Sequence, residues 1–217
     1  MKNFKLRILC YAVAVCNLLL AAVFYLRLPD RIPMHWAMDG TVTYHPRHEL
    51  FFMCGMGLLF ALLFDLLPRI DPRRGNYQRF GTYYDGFCVV MQFFLLSMTA
   101  VILTESFRPG SISVSAVVRL GVGLLLIFIG NMMPKFKSNF YCGIKTPWTL
   151  SSEEVWRKTH RLGGRCFFAA GLVMALSILL PAPQTAFNLS IAAVLLAALA
   201  PGIMSYVWWR QEAGKAK

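Results

Sequence analysis

Acid is scarce in this sequence. Ten Asp and Glu stand against 22 Lys and Arg in 217 residues, and charged residues make up only 15% of the chain. A soluble domain usually carries about 25% charged residues, so no ordinary soluble domain fits this composition. The hydrophobic runs also lack the several buried carboxylates expected of a proton-coupled transporter. There is no Cys-x-x-Cys pair, which argues against zinc-thiolate or dithiol redox chemistry. No Ser, Cys or metal-ligand pattern offers an activated nucleophile either.

Apolar residues are what the chain has in excess, at 57% of the total. They fall into blocks at 8–26, 50–67, 86–104, 116–133, 166–180 and 187–209, most of them near the ~20 residues a helix needs to cross a bilayer. The expected fold is an all-α polytopic membrane bundle of six transmembrane helices, forming a single membrane domain over 1–217. The basic start (Lys2, Lys5, Arg7) before the first block resembles a signal peptide. However, Leu26-Arg27-Leu28-Pro29 offers no small-residue cleavage site, so this block reads as a retained anchor. Five cysteines lie inside the blocks and Cys142 in a loop assigned to the cytoplasm; no disulfide framework is expected.

The net charge of +12 would suggest a nucleic-acid partner in a soluble protein. Here the basic residues sit between hydrophobic blocks, the pattern of the positive-inside bias, and no direct nucleic-acid binding is expected. With the N-terminus inside, seventeen Lys and Arg face the cytoplasm and four face out. The layout is therefore N-in and C-in, with 27–49 an external loop and 134–165 a cytoplasmic segment.

Each of these connections is rich in candidate functional residues. The external loop places Pro29 and Pro33 beside His35 and Trp36, then turns at Asp39-Gly40. His45, His48 and Glu49 follow, but His-x9-His-x2-His matches no metal signature, and no metal or cofactor is assigned. In the cytoplasmic segment, Asn131 ends the fourth block, and Asn139, Lys145 and Trp148 follow. Ser151 and Glu154 have capping-box spacing, and Val155, Trp156, Thr159 and Leu162 form an apolar stripe. The expectation is a short amphipathic helix on the inner leaflet, with Gly163-Gly164 turning the chain into helix five. It serves as a partner platform or gate, or simply as an interfacial anchor held by Trp148, Trp156 and lysines. His160, near Glu153 and Glu154, raises a general-base reading.

Within the spans, Arg119 and Glu105 are placed to pair or Arg119 to snorkel. Asp65 and Asp85 are expected to pair near Arg69 and Arg79, and Asn17 and Gln92 to bond between helices. Pro201-Gly202 is a candidate kink in the last helix.

The run Gly130-Asn131-x-x-Pro134, Asn139, Gly143 through Leu150, Val155-Trp156-x-x-Thr159-His160 and Gly163-Gly164 resembles the SdpI family. Its members are bacterial immunity proteins against a sporulation-delaying toxin peptide. The external Leu28-Pro29-x-x-Ile32-Pro33-x-His35-Trp36 with Gly40 looks like the small domain of unknown function that commonly precedes that motif. Relatives often carry Arg at Lys145, which conserves the charge. The resemblance implies a multi-pass protein of the bacterial cytoplasmic membrane, protecting against an antimicrobial peptide toxin and signalling to a cytoplasmic transcription repressor. It implies partner-binding roles for His35, Trp36, Asn131, Asn139, Lys145, Trp148, Trp156 and His160, with no catalytic residue. The rival readings are a small-solute transporter or channel using Arg119 and the Pro201-Gly202 kink, and a membrane enzyme using His160.

Overall fold

The computed structural model describes residues 3–37 and 41–215; the Asp39-Gly40 turn lies outside them. Six helices there are long and apolar enough to cross a membrane: α1 (Phe4–Tyr25), α2 (Glu49–Ile70), α3 (Tyr77–Phe107), α4 (Val114–Met132), α6 (Glu153–Leu176) and α7 (Pro183–Lys215). A five-residue helix, α5 (Pro147–Ser151), precedes α6. The protein is a multi-pass membrane helical bundle, because hydrocarbon admits only segments whose backbone hydrogen bonds are satisfied internally.

Boundaries differ from the hydrophobic blocks where polar residues continue a helix. Helix α3 starts at Tyr77, nine positions before the third block, and carries Arg79 and Asp85 in its first turns. Pro68 stands inside α2 rather than closing it, and α7 runs unbroken through Pro201-Gly202. The external loop is not irregular: β1 (Arg31–Trp36) and β2 (Val42–Pro46) form an antiparallel hairpin with a register shift between Pro33 and His35.

The chain divides into two compact units, Met1–Leu66 with Asp85–Val118, and Leu67–Tyr84 with Arg119–Lys217. In the first, Ala21, Leu28, Ile32, Leu50, Cys54, Ile102 and Leu103 form a buried cluster against which Trp36 packs. Ile32 thus plugs the hairpin into the helices. Arg47 fastens its other strand, donating to the Leu28 carbonyl at 3.0 Å while its guanidinium lies 5.0 Å from the Tyr25 ring centroid. Asn17, Cys54 and Thr99 meet as a polar cluster between helices, and Gln92 donates to the Gly57 carbonyl at 2.8 Å. At the far end Asp65 pairs with Arg7 at 2.6 Å, and Asp85 accepts the Asn3 backbone N–H at 2.6 Å. Both are partners on or beside α1 that the sequence did not suggest. Glu105 turns to its own loop, accepting from Gly110, Ser111 and Ile112.

In the second unit α4 and α6 approach along a seam of small residues. A Cβ on Gly130 would stand 2.6 Å from the Gly164 carbonyl oxygen, and one on Gly171 would stand 2.6 Å from the Gly123 carbonyl oxygen. On each helix the two glycines are seven positions apart, two turns, so they share a face. Close backbone approach of this kind drives association in lipid, where burial of apolar side chains gains little. Gly163-Gly164 is therefore a packing element inside α6, not a turn, and the amphipathic stretch expected ahead of helix five is that helix's first three turns. The helix start also moves: Ser152, not Ser151, is the N-cap, accepting from Val155 N–H.

Candidate functional site

The motif segment is organised by Asn139, which is fully buried. Its Oδ1 accepts from the backbone N–H groups of Tyr141 (2.9 Å) and Cys142 (2.6 Å) and from the Tyr77 hydroxyl (3.3 Å). Its Nδ2 donates to the carbonyls of Lys137 and Cys142 at 2.9 and 3.1 Å. A side-chain amide has this donor and acceptor set and no other residue type does. The loop from 137 to 142 is wrapped around one side chain.

The loop is also tied to the turn between α2 and α3, which sequence reasoning missed. Asp71 accepts from the Phe140 N–H at 2.9 Å and from the Tyr77 hydroxyl at 3.1 Å. Arg73 donates to the Ser138 hydroxyl and, at 2.9 Å, to the Leu150 carbonyl, with its guanidinium over the Phe140 ring. Asn76 donates to the Ser138 carbonyl at 2.7 Å. In the sequence Arg73 is simply one of the seventeen Lys and Arg placed on the cytoplasmic side. The signal that was there is Asp71-Pro72 followed by Asn76, turn-forming polar residues with no apolar role.

Beyond Cys142 the chain reverses at Gly143, whose φ of +104° lies where a side chain is strained and where a Cβ would collide with the His160 ring. That contact lets the His160 Nε2 accept the Ile144 N–H at 3.1 Å. The other nitrogen, Nδ1, lies 2.8 Å from the Trp156 carbonyl and so must carry the proton. The imidazole stacks on the Trp156 indole with centroids 3.9 Å apart, and the indole N–H donates to the Phe136 carbonyl at 2.9 Å. Both nitrogens serve the backbone. His160 pins the loop to α6, and neither nitrogen is open to abstract a substrate proton as the general-base reading requires.

Next, Thr146 and Thr149 form a capping box that starts α5, and the Thr146 hydroxyl reaches Ser205 of α7 at 3.0 Å. Trp148 is half-buried, its ring 5.0 Å from that of Tyr206. Lys145 is exposed and folds back onto the Tyr141 carbonyl at 3.0 Å. Burial pushes the Cys142 thiol up to about 11, so it stays protonated at neutral pH.

The structure therefore gathers Asn139, Trp156 and His160 into one assembly, with Lys145 and Trp148 along its edge. Asn131 is exposed near the end of α4 and takes no part. His35 and Trp36 belong to the hairpin of the other unit, His35 on the exposed side and Trp36 half-buried. His45 turns to Glu49 at 2.8 Å, and among the described residues no three His, Cys, Asp or Glu side chains converge as a metal site.

These features define a polytopic helical membrane protein with a hydrogen-bonded motif loop clamped between helices and a separately anchored hairpin. Residues 135–205 match the SdpI/YfhL protein family, and residues 12–58 match a domain of unknown function (DUF1648). Among known proteins the chain is similar to "Immunity protein SdpI" of Bacillus subtilis (strain 168), at 21% identity over 210 residues, covering 97% of this chain and 99% of that relative. No solved structure matches the chain.

Proposed function

We infer that this protein is a membrane immunity protein that protects its cell against a secreted antimicrobial peptide toxin. The observation that carries the reading is the end-to-end similarity to a protein named for immunity, with both family segments in one chain. The excess of Lys and Arg in 134–165 supports a cytoplasmic position for the motif segment and an external one for the hairpin. On the outer face, the anchored hairpin exposes His35 and half-exposes Trp36 to an arriving peptide. A preorganised loop loses little entropy when it binds.

On the inner face, the platform spends most of its buried polar groups on itself and leaves Lys137, Lys145, Arg157 and Arg161 exposed. That cationic surface suits an acidic patch on a cytoplasmic repressor, the second partner in this reading. Expression in a toxin-sensitive host tests the first role. Survival at toxin doses that kill the parent is expected, and unchanged sensitivity to every peptide of the class contradicts it. Co-isolation of a repressor from the native host tests the second.

A further inference from the structure

Beside the motif loop lies a groove of about 530 Å³, lined by Thr146, Trp148, Leu199, Gly202, Ile203 and Tyr206. Its walls are almost wholly apolar, and its polar end is the Thr146–Ser205 hydroxyl pair. Two cations follow from the residues of that end: Lys145, exposed, precedes Thr146 with its ammonium resting on the Tyr141 carbonyl at 3.0 Å, and the Arg210 guanidinium lies 5.9 Å from the centroid of the Tyr206 ring. Trp148, Tyr206 and Trp209 form a run of ring contacts alongside, the residue types that settle at a membrane–water interface.

The geometry points to a binding site for one anionic phospholipid of the cytoplasmic leaflet, with an acyl chain in the groove and the phosphate held by Lys145 and Arg210. Two features select this occupant. An apolar trough opening along α7 suits a hydrocarbon chain, and a pair of cations at its interfacial end suits a phosphate. Basic pockets on the cytoplasmic side hold anionic headgroups in the same way. A polar solute would gain nothing from Leu199 and Ile203, and a zwitterionic lipid would set its own ammonium against the two cations. Bound there, the lipid braces α7 against the segment that carries Thr146 and Trp148. Lys145 is shared with the cationic surface offered to a repressor, but lipid retention is read on the purified protein and needs neither toxin nor repressor, so its failure is distinct from failure of the immunity reading.

The test is lipid retention by native mass spectrometry of the full-length protein, extracted in mild detergent and exposed to phosphatidylglycerol and phosphatidylcholine of identical chains. The wild type is expected to retain phosphatidylglycerol about tenfold better, and the Lys145→Gln/Arg210→Gln variant to lose that preference. Gly202→Leu should lower occupancy by both lipids severalfold. A Cβ at Gly202 meets nothing within 4 Å, so this variant is expected to fold, and its melting temperature in the same detergent checks that. Equal retention of the two lipids by the wild type overturns the proposal, as does a preference that survives loss of both cations. A Gly202→Leu effect on self-association alone, with lipid binding unchanged, assigns the groove to a second copy and also overturns it.

Discussion

The Nε2 of His160 accepts the Ile144 backbone N–H at 3.1 Å, beside a chain reversal at Gly143 where a Cβ would collide with the imidazole. The histidine acts as a fastener, and His160→Ala should remove it. An unpaired backbone N–H costs about 1–3 kcal/mol, and loss of the ring stacked on Trp156 adds a cavity term. A fall of several degrees in melting temperature in detergent is expected, with protection lost in parallel. Full thermal stability with lost protection would instead mark a chemical role for the ring.

Asn139 should be less replaceable still. Asn139→Ala strands the N–H groups of Tyr141 and Cys142, and Asn139→Asp keeps those acceptors but sets a carboxylate against the Lys137 and Cys142 carbonyls. Both should raise protease sensitivity in 136–146, measured by limited proteolysis in detergent, while the spans remain inserted.

The glycine seam predicts a contrast between two identical substitutions. Gly130→Ala places a methyl group against the Gly164 carbonyl, whereas a Cβ on Gly55 of α2 meets nothing within 4 Å. The first should destabilise by about 1–3 kcal/mol, the usual cost of overpacking. The second should be neutral or slightly stabilising, since alanine suits a helix better than glycine. Paired thermal melts decide it.

Cys142 supplies a pH dependence. Its thiol is pushed up from 9.0 to about 11, chiefly by burial, and only the thiolate reacts with alkylating agents. Maleimide labelling at Cys142, followed by mass spectrometry, should be slow at pH 7 and rise about tenfold per pH unit until near the folded value. The raised value also means that folding favours the protonated thiol, so its contribution to stability is complete below pH 9 and is lost as the pH climbs toward 11. Fast labelling at neutral pH would show the loop to be open.

The hairpin separates stability from recognition. Ile32→Ser places a hydroxyl in the buried cluster of the first unit and should lower the melting temperature. His35→Ala alters an exposed side chain and should leave that temperature unchanged while weakening protection.

The six spans were legible because apolar runs of span length have one physical meaning. Their ends were not, wherever an amphipathic turn prolonged a helix: Arg79 and Asp85 disguised the start of α3, and Glu153 to Arg165 that of α6. Gly163-Gly164 read as a turn because sequence shows that glycine lacks a side chain but not which backbone lies against it. Strands of six and five residues, each holding a proline, gave no clean alternation. Asn139, Trp156 and His160 stood out by resemblance, but Asp71, Arg73 and Asn76 meet the motif loop through partners more than sixty positions away. Single-sequence reasoning has no handle on such pairs.

The proposed protective role of the hairpin and the proposed cytoplasmic role of the motif loop require the two to lie on opposite faces of the membrane. Cysteine is introduced singly at Thr43 in β2 and at Arg157 in α6, both exposed, and labelled in intact cells with a membrane-impermeant maleimide. Labelling of Thr43→Cys in intact cells, and of Arg157→Cys only after permeabilisation, is the predicted result. Equal labelling of both from one side would contradict the layout.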